Sequence, residues 1–189
     1  MNNLEKECRY RATEDNFKKI RKVCSVVEPK QKQVDLTLGY AGFNSLNKYG
    51  YVCRVRQKGI KTWMEVKNKT EQDTFKETAV QLNDFKSGVR LFQAIGMKPY
   101  MYMRREREIL EYKRLKIFLD DIELLGKFIE IEYQEVNNPE DLLKEFITLV
   151  NIEPILQPLY GDILNQLLIE DESFRKRYEL KLTEFLKEK

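Results

Sequence analysis

The sequence predicts an α+β fold in which most strands pair antiparallel. Segments with side chains alternating at period two and segments with helical spacing follow one another in the order strand, helix, strands, helix, strands, helix. The strands within each group are joined by short links, which suit hairpins and are too short for the crossovers that parallel strands need. The chain has 189 residues and is 42% hydrophobic, so it has the size of one domain and can bury a core.

The first three elements are a strand, a helix and a second strand. The segment EKECRYR, residues 5–11, predicts a strand that places these four charged residues on one face: Glu5, Glu7, Arg9 and Arg11. The segment TEDNFKKIRKVCS then predicts a helix that is capped by Thr13, has Phe17 and Ile20 at helical spacing, and ends by Pro29. The segment QVDLTLGY predicts the next strand.

The middle of the chain predicts a hairpin followed by a helix. YGYVCRVRQKGIKTWMEVKNK forms the hairpin, with its turn near Lys58 and Gly59. One face of its first strand carries Val52, Arg54 and Arg56, and one face of its second carries Trp63, Glu65 and Lys67. Trp63 could stack on a base, although a strand tryptophan more often packs, and Cys53 is expected in the core. NDFKSGVRLFQAIG predicts a helix capped by Asn83.

The C-terminal half predicts three strands and then helices. The strands lie in MYMRREREILEYKRLKIFLDDIELLGKFIEIEYQEV, with breaks near 111–114 and 124–127. One face of the second strand carries Lys116, Phe118 and Asp120, and one face of the third carries Phe128, Glu130 and Glu132. NPEDLLKEFITLVNI predicts a helix capped by Asn138, and the chain is helical again from Pro158 to a charged terminal helix.

Composition excludes several functional classes. The chain has no His, which excludes imidazole bases, Ser–His catalysis and His-ligated metals. Three widely spaced Cys residues do not form a disulfide framework and favour a reducing cytoplasm. No apolar run predicts a signal peptide or a membrane helix. The near balance of 34 basic and 31 acidic residues argues against a nucleic-acid binder.

The predicted strand faces share an unusual content of formal charge. They carry these carboxylates and cations: Glu5, Glu7, Glu65, Asp120, Glu130 and Glu132; Arg9, Arg11, Arg54, Arg56, Lys67, Arg105 and Arg107. A solvated sheet face explains one such strand, but solvated faces usually include Thr, Ser and Gln. Arginine forks suit phosphate oxygens, and carboxylates on separate strands suit Mg²⁺ or Mn²⁺. If the sheet closes into a barrel, both sets lie in one polar lumen; the pattern leaves this and the solvated face open.

These residues resemble the CYTH family, the triphosphate tunnel metalloenzymes, from residue 4 to about 168. The family's Glu-x-Glu-x-Lys resembles Glu5-Lys6-Glu7-Cys8-Arg9, with Arg in the last place. The central arginine, the later lysine and the basic-x-Arg pair resemble Arg54, Lys67 and Arg105–Arg107. The last motifs resemble Asp120 with LLGKFIEIE, and LYGDILNQLL with Tyr160 and Asp162.

The resemblance implies a fold and a set of site residues. The fold is a closed or nearly closed eight-stranded antiparallel β-barrel, a tunnel, with flanking helices; it forms a domain over 1–170 whose C-terminal helical extension covers 171–189. Mg²⁺ or Mn²⁺ would be held by Glu5, Glu7, Asp120, Glu130 and Glu132, the first four also being catalytic. The triphosphate would be bound by Arg9, Arg11, Arg54, Arg56, Lys67, Arg105 and Arg107. For Arg11, Arg56, Glu65 and Glu132 a structural ion pair in the lumen is an equal alternative.

The branch that the sequence resembles most is class IV adenylate cyclase, a phosphorus–oxygen lyase that converts ATP to cyclic AMP and pyrophosphate. Arg9 replaces the usual lysine, and the His-Phe pair that precedes the first motif in such cyclases is missing, so two alternatives remain. One is a triphosphatase acting on tripolyphosphate, thiamine triphosphate or a nucleotide; the other is a non-catalytic nucleotide or polyphosphate binder. The expected partner is a nucleoside triphosphate or inorganic polyphosphate, with no nucleic acid and no membrane, and a homodimer through the terminal helix stays open.

Overall fold

The computed structural model describes residues 4–40, 51–71, 74–133, 139–152 and 156–188, with side chains for all of these except residues 4–6, 69–71, 74, 75 and 139. The elements in these ranges are β1 Leu4–Arg11, α1 Glu14–Val23, β2 Ser25–Gly39, β3 Tyr51–Lys58, β4 Lys61–Glu71, β5 Thr74–Leu82, α2 Phe85–Ala94, β6 Lys98–Tyr112, β7 Leu115–Ile122, β8 Gly126–Tyr133, α3 Pro139–Val150, α4 Tyr160–Glu170 and α5 Glu172–Glu188.

The eight strands form one antiparallel barrel in the order β1-β5-β4-β3-β2-β6-β7-β8, which confirms the predicted architecture. Strand β1 closes it by pairing with β8 from Lys6 to Arg11 and with β5 only from Leu4 to Lys6. Beyond that short seam, the free edge of β1 meets the segment before α4: the Gln157 N–H donates to the Arg9 carbonyl oxygen at 2.8 Å. This contact brings the start of α4 into the barrel wall.

The apolar cores of this barrel lie outside it, under the helices. One cluster joins β2, β3 and β6 to α2, α4 and α5, and includes Leu36, Val55 and the predicted core residue Cys53, which is 4% exposed. The other joins β1, β7 and β8 to α1 and α3 through residues such as Ile20 and Phe146. Because side chains alternate along a strand, packing the apolar face outward turns the charged face into the lumen.

Several predicted local features are confirmed. Thr13 caps α1 in a capping box with Asn16, because each side chain accepts the backbone N–H of the other residue. The β3–β4 turn contains Gly59 at φ +57°, a left-handed conformation that favours glycine.

Two expectations are corrected. The cap of α2 is Asp84 rather than Asn83, and α1 ends at Val23, so residues 25–39 form a single long strand. The expected cap Asn138 lies outside the described residues.

Two strand boundaries differ from the prediction for physical reasons. Pro29 does not end a helix but lies within β2, where the register with β6 shifts between Glu28 and Gln31; a proline is tolerated at such an irregularity. Strand β5 was not predicted, because TFKETAVQL lacks a clear apolar alternation and the side chains of residues 76–81 are all exposed. It pairs with β4 over most of its length.

The terminal helix α5 packs on the barrel as part of the first core. It buries Phe174, Tyr178 and Phe185, and the Tyr178 phenol donates to the Tyr102 carbonyl oxygen at 2.9 Å. The division of the chain at residue 170 stays a prediction. None of the described helices is long and apolar enough to cross a bilayer.

Candidate active site

The barrel encloses a cavity of about 380 Å³ whose wall is strongly charged. All eight strands and the start of α4 contribute to it. Among the described side chains that line it, eight are acidic and eight are basic. A charged lumen therefore replaces the solvated sheet face that the alternation of a single strand would suggest.

Acidic and basic side chains alternate in an unbroken series of ion pairs around this lumen, which we call the charge ring. Each pair has a nitrogen–oxygen distance of 3.5 Å or less. In order, the ring consists of Lys67, Glu7, Arg9, Glu130, Arg107, Asp120, Arg105, Asp35, Arg56, Glu65, Arg54 and Glu77. Ten of the predicted site or lumen residues are thus brought together, and Asp35 and Glu77 are added to them.

Three carboxylates converge where β1 meets β8. Glu7 pairs across the strands with Glu132, and Arg9 pairs with Glu130. Each of the three glutamates offers an oxygen within 4.8 Å of the others. Such a set of oxygen ligands from two strands fits a hard divalent cation that keeps part of its water or phosphate shell. Glu5 lies on the same strand face as Glu7, but its side chain is outside the described residues.

Arg9 holds two of these carboxylates in place. Its Nη2 forms an ion pair with Glu7 at 2.6 Å, and its Nε donates to Glu130 at 2.8 Å. Burial alone would raise the pKa of Glu130, but the Arg9 and Arg107 guanidiniums outweigh it and keep that pKa well below its usual range. Glu130 is therefore ionised at neutral pH, which suits a metal ligand better than a proton acceptor. The two glutamates likewise outweigh the effect of burial on Arg9 and raise its pKa.

Asp120 lies beneath the lumen surface rather than on it. It is 0% exposed, and Arg107 donates to its two oxygens at 2.6 and 2.5 Å. The Tyr160 phenol donates to it at 3.0 Å, and burial followed by the Asp120 charge raises the pKa of Tyr160 well above its ordinary value, so the phenol keeps its proton. The structure does not bring Asp120 into the glutamate cluster, and its role as a metal ligand stays a prediction.

Arg105 has bonding capacity left over. It is 5% exposed, and its Nη2 donates to Asp35 at 2.6 Å, but its Nε is buried without a hydrogen-bond partner in the described part of the chain. Burial and the neighbouring Arg107 lower the pKa of its guanidinium. A buried donor without an acceptor, next to a second cation, favours an anionic ligand in the cavity.

Asp35 is the main site residue that the sequence reasoning missed. Arg56 donates to its two oxygens at 2.7 and 3.0 Å, and Gln33 also donates to it. Burial would raise the pKa of Asp35, but Arg56 and Arg105 hold it well below its usual range. The signal was present in QVDLTLGY, because Gln33, Asp35 and Thr37 alternate there with Val34, Leu36 and Leu38.

Two singled-out residues lie elsewhere than expected. Arg11 is at the end of β1, where its guanidinium donates to the Leu125 carbonyl oxygen at 2.8 Å and lies over the Phe128 ring; it is absent from the described cavity wall. Trp63 lies in that wall, although packing was its commoner expectation. The remaining predicted phosphate ligands, Arg54, Arg56 and Lys67, line the cavity.

Comparison with known proteins agrees with this geometry. The sequence matches the CYTH domain over residues 3–165. The chain belongs to the CYTH family. Over 79 residues it is 28% identical to a Methanocaldococcus jannaschii protein named "putative adenylate cyclase", a match that covers 41% of this chain and 45% of that protein.

Solved structures share the CYTH tunnel fold. A Pyrococcus horikoshii protein superposes with a TM-score of 0.72 at 20% identity, covering 84% of this chain and 98% of the other. A Hippeastrum protein, described as a putative adenylyl cyclase with a dominant triphosphatase activity, superposes with a TM-score of 0.59 at 17% identity, covering 80% and 89%. These likenesses establish the fold, while CYTH membership associates the chain with enzymes that act on triphosphates and generally depend on divalent metal.

Proposed function

We propose that this CYTH protein is a divalent-metal-dependent adenylate cyclase, which converts ATP to cyclic AMP and pyrophosphate in the lumen. The observation that carries the proposal is the charge ring, in which basic side chains and carboxylates alternate around one cavity. The name of the Methanocaldococcus jannaschii relative supports the cyclase reaction in particular.

The basic residues of the ring would bind the phosphates. Arg54 and Arg56 face the cavity from β3 and Arg105 faces it from β6, and each already donates to a carboxylate oxygen. Phosphate oxygens have the same acceptor geometry as carboxylate oxygens, so a triphosphate can take over these donors without moving the guanidiniums far. The Nε of Arg105, which has no hydrogen-bond partner among the residues that the structure describes, would gain an acceptor.

The glutamate cluster would hold the metal. Glu7, Glu130 and Glu132 supply oxygen ligands, while Glu5 and Asp120 are the further ligands that the family resemblance predicts. A divalent ion bound there supplies Lewis-acid chemistry: it neutralises phosphate charge and lowers the pKa of an attacking hydroxyl group. The choice of Mg²⁺ or Mn²⁺ is part of the proposal, because oxygen ligands suit both.

The chain itself contributes positioning and electrostatic stabilisation. The ribose 3′-oxygen attacks the α-phosphorus, the bond from that phosphorus to the bridging oxygen breaks, and pyrophosphate leaves with the electron pair. The ring arginines stabilise the charge that develops on the pyrophosphate. In this proposal the proton of the hydroxyl passes to water, and Glu130, which is paired with Arg9 and Arg107, is a poor acceptor because those guanidiniums depress its pKa. The absence of His is therefore compatible with the reaction.

A triphosphatase is the second candidate, and the description of the Hippeastrum structure favours it. The same donors and carboxylates would bind the substrate, but water would attack the terminal phosphorus and release orthophosphate. The two reactions differ in which phosphorus faces the nucleophile. A non-catalytic binder is disfavoured, because the described glutamates of the cluster are all present and converge.

A product assay tests the proposal. The purified protein is incubated with Mg²⁺ or Mn²⁺ and ATP, and in parallel with tripolyphosphate. Cyclic AMP and pyrophosphate in equal amounts are the expected products from ATP. Orthophosphate without cyclic AMP would show that the protein is a triphosphatase and not a cyclase. Metal-dependent binding without any product would show that it is a non-catalytic binder.

A further inference from the structure

Trp63 is the one tryptophan in the chain, and it lies in the wall of the charged cavity. Its side chain is half-buried. It belongs to neither of the two apolar clusters, and within the part of the chain that the structure describes no hydrogen bond or ring contact holds its indole. A large aromatic side chain among ion pairs, with no packing partner of its own kind, needs another explanation than core formation.

Its position places the indole directly beside the phosphate-binding arginines. Trp63 pairs across the β3–β4 ladder with Arg56, and Glu65 follows two residues later on the same face. Directly opposed side chains on one sheet face have Cβ atoms about 4.5–5.5 Å apart. A group attached to a phosphate that Arg56 binds therefore comes within contact distance of the indole.

There is room on this side of the lumen for such a group. The other cross-strand neighbour of Trp63 is Gln81 of β5, which is exposed. Strand β5 pairs with β1 only through residues 74–76. Beside Gln81, β1 therefore does not pair with β5, and the barrel wall ends at β5. The indole thus lies between the charge ring and a part of the wall that is open to solvent.

We propose that Trp63 stacks on a planar aromatic ring joined to the triphosphate, so that the site prefers organic triphosphates to inorganic tripolyphosphate. This inference rests on the proposed triphosphate chemistry and specifies its substrate class. A nucleobase and the thiazolium ring of thiamine triphosphate share the required chemistry, since each presents a flat π-face to an aromatic side chain.

The fluorescence of the single tryptophan provides a direct test, apart from activity. Wild-type protein with Mg²⁺ is mixed in a stopped-flow instrument with ATP, thiamine triphosphate or tripolyphosphate, and emission is recorded before turnover. We expect strong quenching by one organic triphosphate and little by tripolyphosphate at equal saturation. Whichever organic triphosphate quenches identifies the source of the ring.

Two variants complete the test by calorimetry. Trp63→Ala should raise the Kd of the quenching triphosphate about 5- to 150-fold, which is the usual contribution of a base–aromatic stack, and should change the Kd of tripolyphosphate less than twofold. Trp63→Phe retains a ring and should lose much less. If Trp63→Ala does not fold, the quenching of wild-type protein and the affinities of Trp63→Phe still decide whether Trp63 stacks on the ring.

Equal weakening of all three ligands by Trp63→Ala, or no change in any, would overturn the inference while leaving triphosphate binding intact. Equal quenching by tripolyphosphate and by the organic ligands would overturn it as well. If none of the three binds to wild-type protein with or without metal, the proposed function itself fails, and the inference fails with it.

Discussion

Replacing Asp35 by asparagine tests whether the charge ring is maintained by its buried carboxylates. Asp35 accepts from Arg56 at 2.7 and 3.0 Å and from Arg105 at 2.6 Å. Removing one partner from a buried ion pair costs about 3–5 kcal/mol, because the charge left behind stays desolvated. Asparagine keeps one acceptor, and the cavity admits water, so we expect the lower end, about 3 kcal/mol.

The assay is thermal and chemical unfolding of the ligand-free protein. A loss of about 3 kcal/mol corresponds to a fall in Tm of roughly 6–12 °C for a domain of this size. Asp121→Asn is the matched control, since that carboxylate belongs to the same barrel but pairs with Lys127 and has a side chain 37% exposed. It should change stability by no more than about 0.5 kcal/mol.

Tripolyphosphate separates this explanation from a simple packing defect. Its oxygens can replace the lost acceptors of Arg56 and Arg105, so it should raise the Tm of Asp35→Asn more than that of the wild type. A variant as stable as the Asp121→Asn control would show that Arg56 and Arg105 do not depend on Asp35. A destabilised variant that tripolyphosphate does not restore would show that Asp35 acts through packing alone.

Three further predictions follow from the same contacts. Glu7→Gln should abolish product formation and lower the Tm less than Asp35→Asn does, because Arg9 keeps its hydrogen bond to Glu130 at 2.8 Å. Glu106→Gln, on the outer face of β6, should leave activity unchanged, and full activity of Glu7→Gln at limiting metal would remove Glu7 from the metal site. The pKa of Asp35 is lower in the folded than in the unfolded protein, so its contribution to stability is present above about pH 4 and is lost as pH falls. Between pH 5 and 3, the free energy of unfolding should therefore change less steeply with pH in Asp35→Asn than in wild type, by up to about 1.4 kcal/mol per pH unit. Equal slopes in the two proteins would contradict this. Gly88→Ala should cost about 1–3 kcal/mol without affecting KM, because a Cβ there would lie 3.0 and 3.1 Å from the two methyl groups of the fully buried Val55 as well as 2.6 Å from the Leu82 Cδ1; a neutral variant would show that the neighbouring side chains yield without cost.

The period of two in the strand sequences was sufficient to predict most of the charge ring. Once a strand is assigned, alternation decides which side chains share a face, so Glu7, Arg9 and Glu130 could be grouped before their positions were known. Alternation does not report how far along the barrel axis a side chain lies. That is why Arg11 and Asp120, although on the inward-facing registers, lie at the barrel end and beneath the cavity surface.

The elements that sequence reasoning missed are those whose pairing is decided by tertiary contacts. The side chains of residues 76–81 in strand β5 are all exposed, so the sequence there has no clear alternation of apolar and polar residues. The position of β5 in the barrel follows from its pairing with β4. Asp35 was overlooked because one acid in a mostly apolar strand resembles an isolated surface residue until two arginines from neighbouring strands are brought to it. Tyr160 belonged to a recognised motif, but only the contact with Asp120 shows what its hydroxyl does.

The charge balance of the lumen also restricts how a substrate can enter it. Among the described wall residues, acids and bases are equal in number, so the empty cavity offers a free polyanion no net attraction. A triphosphate that takes over the arginines leaves carboxylates such as Glu7 and Glu130 without their partner, and an uncompensated buried charge is costly. A divalent cation on those carboxylates removes that cost. Each ligand therefore prepares the site for the other, and because such coupling is reciprocal, metal should tighten triphosphate binding by the same factor as triphosphate tightens metal binding.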